Sequence, residues 1–371
     1  MNSVVIFYGS WAKFEGIIPG ENCRNLTEMV MEVDADSRSY TLIVPDKPIE
    51  EKPKPKVENF IVGSNEYAGV REHVILNFAN FLAKMDVSNL YLQNPPLSIS
   101  TQIKKLYPQT ETIEQDYERL SRDALKRIHE GYEKKIKGQN DVLMKLLQAL
   151  FLLTTNNRVK PIVILFYGDT GLGKTETAQF VSSILGENIF RRQFSMFQNN
   201  QFATYLFGGA HYERSFAKEL LDRESNVILI DEFDKANATF HSAFYQLFDE
   251  GIYEDQNYHL ELSRSIIICT SNYKTEEEIK SQLGRAIFSR FDAVIKFNEL
   301  SVAAKAEIAS MQYERNLAMY SEQEQNIITE KNTKEKIIEC SSLCSNAREI
   351  AHLVEDVFSL ILLRDLLDLE E

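Results

Sequence analysis

One eight-residue segment constrains this chain more than any other feature. Residues 168–175 read Gly-Asp-Thr-Gly-Leu-Gly-Lys-Thr and match the pattern G-x-x-x-x-G-K-[ST] at every fixed position. The apolar run Ile162–Tyr167 precedes the segment, and an amphipathic helix is predicted over Glu176–Leu185. A glycine-rich turn between a strand and a helix presents backbone N–H groups to a polyphosphate. The segment therefore predicts a phosphate-binding loop.

Two side chains of this loop predict specific contacts to a nucleotide. Lys174 would reach the β- and γ-phosphates, and the Thr175 hydroxyl would coordinate Mg²⁺. The remaining loop residues, whose backbone would surround the phosphates, are Gly168, Asp169, Thr170, Gly171, Leu172 and Gly173. The alternative is a glycine-rich turn without a ligand. A complete pattern between a predicted strand and a predicted helix disfavours that alternative.

A second apolar run, Val227–Ile230, ends in two carboxylates, Asp231 and Glu232. Acids at the carboxyl end of a buried strand face the ligand crevice of an open α/β sheet. Asp231 would hold Mg²⁺, directly or through water, and Glu232 would polarise an attacking water, so the predicted reaction is hydrolysis. Without the phosphate loop, a solvated acidic turn would be the preferred interpretation.

The fold class follows from the apolar runs. Ile162–Tyr167, Val227–Ile230 and Ile266–Cys269 are continuous and rich in β-branched residues, which is typical of parallel strands covered on both faces. Amphipathic helices are predicted between them, for example over Thr239–Phe248. The last 71 residues contain no strand signal and are predicted to be helical, most clearly over Ile350–Leu369. We therefore expect an α/β domain followed by a helical one.

The length of 371 residues predicts two or three domains. Four of the nine prolines lie between Pro45 and Pro55, which predicts a stiff, charged linker over residues 45–56. Before it, strands at Val4–Tyr8 and Tyr40–Val44 predict a small β-rich module over residues 1–44. The other predicted regions are a helical and loop region at 57–120, a large α/β domain at 121–300 and a small helical domain at 301–371.

Composition excludes several classes of function. The chain has 55 acidic and 41 basic residues, a net charge of −14, which disfavours a generic surface for nucleic acid or anionic lipid. No apolar stretch approaches the roughly 20 residues of a membrane helix. The first residues lack the basic segment of a signal peptide, and the four cysteines are too few for a disulfide framework. We expect a cytoplasmic protein with no membrane partner.

Further motifs follow the order of a known family. Ile136-Lys-Gly138-Gln139 precedes the phosphate loop, Asp231-Glu-Phe-Asp-Lys-Ala ends the acidic strand, and Gln246-Leu-Phe-Asp-Glu-Gly and Thr270-Ser-Asn272 follow it. From about residue 120 to 371 the chain resembles the AAA+ ATPases, specifically the Clp-type unfoldase and disaggregase clade. The resemblance implies a P-loop parallel sheet with flanking helices and a helical lid, with ATP and Mg²⁺ bound. It also implies that Ile136, Gly138 and Gln139 line the adenine pocket and that Asn272 contacts the γ-phosphate or the water.

Two arginines complete the resemblance. Phe288-Ser-Arg290-Phe-Asp is similar to the clade's L-N-R-x-D, so Arg290 is implied to be an arginine finger that enters the nucleotide site of a neighbouring subunit. Arg285 is a weaker candidate for that role. Ser345-Asn-Ala-Arg348 is similar to the family's G-A-R and implies that Arg348 contacts nucleotide from the lid. The expected assembly is an ATP-dependent ring, with a hexamer as the expected state.

The resemblance weakens at the loop that grips polypeptide in this clade. The corresponding stretch, residues 208–216, lacks the clade's prolines and the glycines beside the aromatic. Tyr212 is then either the gripping aromatic of a pore loop or a packing residue. Arg290 follows Asn272 by only 18 positions and no I-G-F-like tripeptide lies between them, so a docked peptidase is not expected.

Three functions remain open at this level. The preferred one is an ATP-hydrolysing, chaperone-like ring that remodels or unfolds a protein recruited by residues 1–120. The second is a nucleotide-controlled assembly switch that signals to a partner protein without threading it. The third, a motor or loader on nucleic acid, is the least favoured because the chain is acidic and contains no recognisable DNA-binding module.

Overall fold

The computed structural model describes residues 1–38, 53–155, 157–196, 201–236, 238–330 and 332–367. The chain divides into two compact units. The first unit contains Met1–Tyr117, Phe197–Glu224 and Gly251–Leu262, and the second unit contains Glu118–Met196, Ser225–Glu250 and Ser263–Glu371. Two segments from within the predicted 121–300 domain therefore belong to the first unit, and the predicted helical domain at 301–371 belongs to the second.

The strands, in chain order, are β1 Ser3–Tyr8, β2 Cys23–Asn25, β3 Lys56–Val62, β4 Asp86–Gln93, β5 Glu111–Glu114, β6 Ile162–Tyr167, β7 Phe190–Gln193, β8 Val227–Asp231, β9 Ile252–Glu254, β10 His259–Glu261, β11 Ile266–Thr270 and β12 Ala293–Lys296. The α-helices are α1 Trp11–Glu15, α2 Leu26–Arg38, α3 Glu72–Leu76, α4 Phe78–Leu82, α5 Leu97–Leu106, α6 Arg122–Lys135, α7 Asn140–Phe151, α8 Lys174–Ile184, α9 Gln201–Phe207, α10 Phe216–Leu221, α11 Tyr245–Glu250, α12 Glu276–Gln282, α13 Arg285–Phe288, α14 Val302–Leu317, α15 Glu322–Thr329, α16 Thr333–Ser341 and α17 Ala347–Leu366. Short 3₁₀ helices lie at Glu66–Gly69, Leu152–Thr154, Phe194–Met196, Phe233–Lys235 and Ala238–Phe244.

The first unit is built on a five-stranded sheet in the order β2-β3-β4-β1-β5, in which every pair is parallel. Alternate residues of β1 point to opposite faces. Val4 and Ile6 join the larger core with helices α2 to α5, whereas Phe7 packs with Phe14 of α1 on the other side. The sheet is therefore covered on both faces, as parallel sheets require.

This sheet corrects the prediction for the N-terminal region. Residues 1–44 are not a separate β-rich module, and residues 57–120 are not helices and loops, because both regions contribute strands to the same sheet. The strand predicted at Val4–Tyr8 is confirmed as β1, whereas Tyr40–Val44 lies outside the described residues. The prediction failed because β1 pairs with β4, more than 80 residues further along the chain, and local sequence patterns do not report pairing at that separation.

The second unit contains a five-stranded parallel sheet in the order β12-β6-β11-β8-β7. The three predicted apolar strands are confirmed as β6, β8 and β11, and every residue in them is buried. Helices α6, α7 and α8 pack against one face of the sheet in a single apolar core. The predicted helix over Glu176–Leu185 corresponds to α8. The first six residues of Thr239–Phe248 belong instead to a 3₁₀ helix that precedes α11.

Helices α14 to α17 confirm the helical prediction for the last part of the chain. Tyr313 of α14 contacts Phe358 of α17 edge to face, with ring centroids 5.1 Å apart. Each of α14, α15 and α17 begins at a residue whose side chain accepts a hydrogen bond from the first turn, namely Ser301, Ser321 and Asn346. Among the described residues, no helix is long and apolar enough to cross a lipid bilayer.

The two sheets have the same topology. When the five strands of each sheet are ranked by their position in the chain, both sheets read 2-3-4-1-5 across the sheet. In each case the first strand lies between the fourth and the fifth, and all neighbours are parallel. Their carboxyl ends therefore form a crevice of the same design, which is where open α/β sheets bind ligands.

Candidate nucleotide-binding site

The phosphate loop connects the end of β6 to the start of α8 in the second unit. Its three glycines all have positive φ, with +71° at Gly171 and +99° at Gly173. These conformations strain other residues. At Gly171 the packing is equally restrictive, because a Cβ atom would lie 2.7 Å from the Asn346 side-chain oxygen. The predicted loop conformation therefore requires glycine at these positions.

Lys174 lies folded against this loop. Its Nζ atom donates to the carbonyl oxygens of Gly168 at 2.5 Å and Asp169 at 2.8 Å, and to the Asn272 side-chain oxygen at 3.2 Å. Burial lowers the pKa of the Lys174 ammonium to about 8, against the opposing effect of nearby acids such as Asp234. Lys174 is thus a buried cation whose partners are all oxygen atoms, which phosphate oxygens can replace.

Asn272 and the two acids converge on the same edge of the sheet. Asn272 follows β11, Asp231 ends β8 and Glu232 follows it, and β11 lies between β6 and β8 in the sheet. The hydrogen bond from Lys174 brings Asn272 directly to the phosphate loop. The sequence named these residues from separate motifs, and parallel pairing of their strands brings them together.

Asp231 is buried at the end of β8 and is held by two contacts that the sequence analysis did not predict. The Thr270 hydroxyl donates to one carboxylate oxygen at 2.5 Å, and Arg191 of β7 forms an ion pair with the other at 2.5 Å. The contact of Arg191 with Asp231 has no local sequence signal, because Arg191 lies on a neighbouring strand. Thr270, in contrast, lies in the Thr-Ser-Asn motif itself.

Glu232 adopts a left-handed conformation with φ of 55°, which turns the chain away from the strand. Gln193 at the end of β7 donates to its carboxylate at 3.0 Å. Hydrogen bonding from Ser195, with Gln193 and the basic Lys235 contributing, lowers the pKa of Glu232 despite partial burial. The Glu232 carboxylate is therefore ionised and oriented. Gln193 and Ser195 were not identified from sequence, because they act through strand pairing.

The predicted adenine-pocket residues lie beside the loop. Ile136 is buried and lies 3.6 Å from where a Cβ atom on Gly173 would be. Gln139 is also buried. Its amide donates to the Asn298 carbonyl at 2.8 Å and to the Leu172 carbonyl at 3.4 Å. Gln139 thereby ties the phosphate loop to the segment after β12, and its contact with adenine remains a prediction.

Gly138 has φ of +73°, and a Cβ atom there would lie 2.6 Å from the Ala304 methyl group of α14. The close approach of the chain to α14 explains why this motif position requires glycine. The remaining loop residues, Asp169 and Thr170, are at least partly exposed. Asp169 forms an ion pair with Lys274 at 3.2 Å.

The helical region meets the phosphate loop at the start of α17. The Ala347 N–H donates to the Gly171 carbonyl at 3.1 Å, and Asn346 caps the helix. Arg348 is the next residue and its side chain is exposed. Its location one residue from this contact fits the predicted role at the nucleotide, which stays a prediction.

Arg290 is held within its own chain by α11. Its Nε atom donates to Asp249 at 2.8 Å, and its guanidinium lies 4.1 Å from the centre of the Tyr245 ring. Asp249 belongs to the Gln246–Gly251 motif, so two motifs that are separate in sequence form one contact. The predicted action of Arg290 on a neighbouring subunit stays a prediction, as does the weaker candidacy of Arg285.

Tyr212 lies in the first unit, in the turn between α9 and α10, and its side chain is 62% exposed. The adjacent His211 is buried, and its Nε2 atom lies 2.8 Å from the Val70 carbonyl oxygen. The loop is thus anchored through His211, and Tyr212 is presented to solvent. Such exposure is more typical of a contact residue than of a packing residue.

The residues predicted to hold Mg²⁺ carry oxygen donors of the kind that ion prefers, and their role stays a prediction. Thr175 is half-buried at the start of α8, and Asp231 offers a buried carboxylate. Among the described residues, no group of three or more His, Cys, Asp and Glu side chains is arranged to hold a metal. Mg²⁺ commonly uses one or two protein oxygens together with substrate phosphates, so a sparse oxygen donor set suits it.

The second sheet is parallel and has the strand order 2-3-4-1-5. A phosphate loop follows its first strand, acids lie at the end of its third and an asparagine follows its fourth. This arrangement defines a P-loop ATPase domain. The family model described as AAA domain (Cdc48 subfamily) matches residues 160–339. ClpB of Malacoplasma penetrans is 30% identical over 216 residues, covering 50% of this chain and 30% of that protein. ClpC of Staphylococcus epidermidis is 26% identical over 257 residues, covering 58% and 32%.

Among solved structures, the closed-state reconstruction of Hsp104 with ATPγS and FITC casein matches with a TM-score of 0.56 and 14% identity. The match covers 98% of this chain and 88% of that chain, so the shared fold includes the N-terminal sheet. These comparisons support the resemblance to the Clp-type AAA+ ATPases, with one matched ATPase module at residues 160–339. The chain spans about a third of the length of the curated relatives that it matches.

Proposed function

We propose that this chain assembles into a ring, hydrolyses ATP and uses the energy to remodel a protein partner. The observation that carries the ATPase part is the convergence of Lys174, Asn272, Asp231 and Glu232 on one edge of a parallel sheet. The remodelling part is supported by similarity to proteins described as chaperone ClpB and as the ATP-binding subunit ClpC of a Clp protease.

Each residue of the site has a defined part in hydrolysis. Lys174 would exchange its carbonyl partners for β- and γ-phosphate oxygens, which are stronger acceptors for an ammonium. Glu232, kept ionised by Ser195 and Gln193, would orient a water for attack on the γ-phosphate. Asn272 would contact the γ-phosphate or that water from β11. Mg²⁺, held by Thr175 and Asp231, would neutralise charge on the phosphates.

Two arginines would couple hydrolysis to assembly. Arg348 lies beside the phosphate loop on α17, so the helical region can respond to the nucleotide of its own chain. Arg290 would leave Asp249 and Tyr245 to reach the nucleotide of the adjacent subunit. Releasing a salt bridge that is about one quarter exposed on the arginine side costs little, because surface ion pairs contribute about 0–1 kcal/mol.

The exposed Tyr212 separates remodelling from the alternative of an assembly switch. If the ring pulls polypeptide, the Tyr212→Ala variant should keep ATPase activity within a few-fold and lose ATP-dependent unfolding of a bound client. Phe151→Ala is the matched control, since Phe151 is an exposed aromatic on α7 of the second unit. The client would first be captured by a Glu232→Gln ring in ATP and identified by mass spectrometry.

Two outcomes would contradict this proposal. Undiminished unfolding by the Tyr212→Ala variant would remove Tyr212 as the gripping residue. Binding of a client without ATP-dependent unfolding by the wild type would favour the switch, in which nucleotide controls assembly and signalling only.

A further inference from the structure

The crevice of the first sheet contains a cavity of about 600 Å³. Its walls come from the carboxyl ends of the central strands. Ser10 and Trp11 follow β1, Gly63 and Ser64 follow β3, and Gln93 ends β4. All of these residues belong to the first unit. The cavity therefore occupies the location at which the second sheet carries its phosphate loop, and where parallel sheets bind ligands.

The charge of this cavity is opposite to that of a phosphate site. Glu66, Asp222 and Glu224 line it, and none of its lining residues is Lys, Arg or His. The turn after β1 is also too short for a phosphate loop, because α1 begins three residues after the strand ends. A lining with three acids and no basic residue disfavours a nucleotide and favours a positive group, and Lys218 outside the lining acts on only one of these acids, Asp222.

Asp222 is a partly buried carboxylate at the wall of the cavity. It accepts hydrogen bonds from Ser64 at 3.0 Å, Asn94 at 2.6 Å and Gln93 at 3.3 Å. These contacts fix the carboxylate at the wall of the cavity with neutral donors only. Glu224 lies two residues further on, and it adds an exposed carboxylate to the lining of the cavity.

An aromatic ring lies beside the carboxylates. Trp11 is 47% exposed, and its ring covers Gly63 so closely that a Cβ atom there would lie 2.9 Å from it. Phe14 supports the ring edge to face, with centroids 5.6 Å apart. A tryptophan held in this way next to acids is a favourable surface for a cation, and the face of tryptophan is the best among aromatic side chains.

Ser10 provides a further polar group. It lines the cavity and is 2% exposed, and its hydroxyl has no hydrogen-bond partner among the described residues. A buried hydroxyl without a partner costs free energy that a ligand N–H would recover. The cavity thus combines carboxylates, an aromatic ring and an unsatisfied acceptor.

We propose that this crevice binds the cationic end of a basic side chain, arginine or lysine, on a protein partner. The proposal rests on the proposed function in one respect, namely that the N-terminal region recruits a protein. In this interpretation the first unit keeps the sheet and crevice of a nucleotide-binding fold and uses them to hold a guanidinium or ammonium group. The partner is then a polypeptide with an accessible basic residue.

The chain contains a single tryptophan, Trp11, so its fluorescence reports directly on this cavity. The full-length protein, without nucleotide, would be titrated with acetyl-Gly-Arg-Gly-amide, the lysine equivalent and the citrulline equivalent. Citrulline has nearly the shape of arginine but no charge. We expect a saturable change in Trp11 fluorescence when a basic peptide is added. The dissociation constant of the citrulline peptide should be about tenfold larger, or more.

Variants localise the effect. Glu224→Gln should weaken binding of the basic peptide several-fold, and Asp222→Asn should weaken it further. Glu72→Gln, an exposed acid on α3 that does not line the cavity, is the matched control. Because Asp222 accepts three hydrogen bonds and its substitution can disturb folding, Glu224→Gln is the deciding variant.

Several results would overturn the proposal. They are equal affinity for citrulline and arginine peptides, unchanged affinity in the Glu224→Gln variant, or a response to spermidine with none to either basic peptide. A response of Trp11 to ATP in the Lys174→Ala variant would also overturn it, since the crevice would then accept phosphate. If the protein remodels a client but binds no basic peptide, this inference alone is rejected. If it binds the basic peptide but remodels no client, only the proposed function is rejected.

Discussion

The two parallel sheets of this protein have the same strand order and opposite chemistry at their strand ends. After the first strand, the second sheet has the eight residues of the predicted phosphate loop, whereas the first sheet has Gly9, Ser10 and then a helix. After the third strand, the second sheet has Asp231 and Glu232, whereas the first sheet has Gly63 and Ser64. The residues predicted to perform chemistry are thus found in only one of two sheets that share a strand order.

Both sheets have an asparagine after the fourth strand, and its use differs. Asn272 accepts a hydrogen bond from Lys174 at 3.2 Å and so faces the phosphate loop. Asn94 instead binds the backbone N–H and carbonyl of Gly9, each at 2.9 Å, and closes the short turn after β1. The comparison teaches that topology provides a crevice and that a few residues at its edge decide what the crevice binds.

The largest expected effect comes from replacing one lysine in each sheet and comparing the two variants. Lys174→Ala should lower ATP affinity by about 10³-fold and abolish turnover, because a buried charge-assisted contact is lost. Lys13→Ala, an exposed lysine in α1 after the first strand of the other sheet, should change neither quantity. Calorimetric titration with ATP measures both variants. An equal loss in the Lys13→Ala variant would mean that the first sheet also binds nucleotide, and the comparison would break.

The acidic strand end provides the next test. Glu232→Gln should reduce turnover by about 10²–10⁴-fold with ATP affinity nearly unchanged, since a general base acts on the reaction and not on binding. Glu261→Gln, an exposed acid on β10, is the control. Steady-state phosphate release and ATP binding are measured in parallel. Normal turnover by the Glu232→Gln variant would remove its assignment as the base.

A third test asks whether the ATPase sheet is completed by another subunit. Arg290→Ala should lower turnover of the assembled protein by about 10³-fold while one chain's affinity for ATP stays nearly intact, because an arginine finger acts on transition-state charge. Mixing Arg290→Ala with Glu232→Gln chains should restore some activity at interfaces that combine an intact Arg290 with an intact Glu232. Turnover independent of protein concentration, with a monomer in ATP by light scattering, would exclude both the ring and the finger.

The smallest expected effect is a dependence of ATP binding on pH. Burial lowers the pKa of Lys174 to about 8, and bound phosphate favours the charged form, so ATP binding takes up protons near and above this pH. The affinity should therefore fall by about tenfold between pH 7 and pH 9. Lys174→Arg stays charged and should lack this dependence, which separates the lysine from titration of the nucleotide itself. Equal pH profiles for both proteins would contradict the assignment.

The second sheet was largely predictable because its signals are local. A phosphate loop, an acidic strand end and buried apolar strands are each written in five to ten consecutive residues. The resemblance implied that Asn272 contacts the γ-phosphate or the water, and the structure places its side-chain oxygen 3.2 Å from the Lys174 Nζ atom. Arg191, Gln193 and Ser195 escaped prediction because they reach Asp231 and Glu232 only through the pairing of β7 with β8.

The first sheet was not predictable for the same physical reason. Its strands come from both sides of the proline-rich segment, and no short motif marks the turn after β1 or the end of β3. The acid Asp222 joins this crevice from a segment more than 100 residues beyond the sheet. By itself, the sequence determined the ATPase module and predicted which residues carry its chemistry, because both depend on contiguous patterns. Only the tertiary structure decided that the N-terminal region forms a sheet with the same strand order as the ATPase sheet, and that the crevice of this N-terminal sheet is acidic. Both features depend on contacts between segments far apart in the chain.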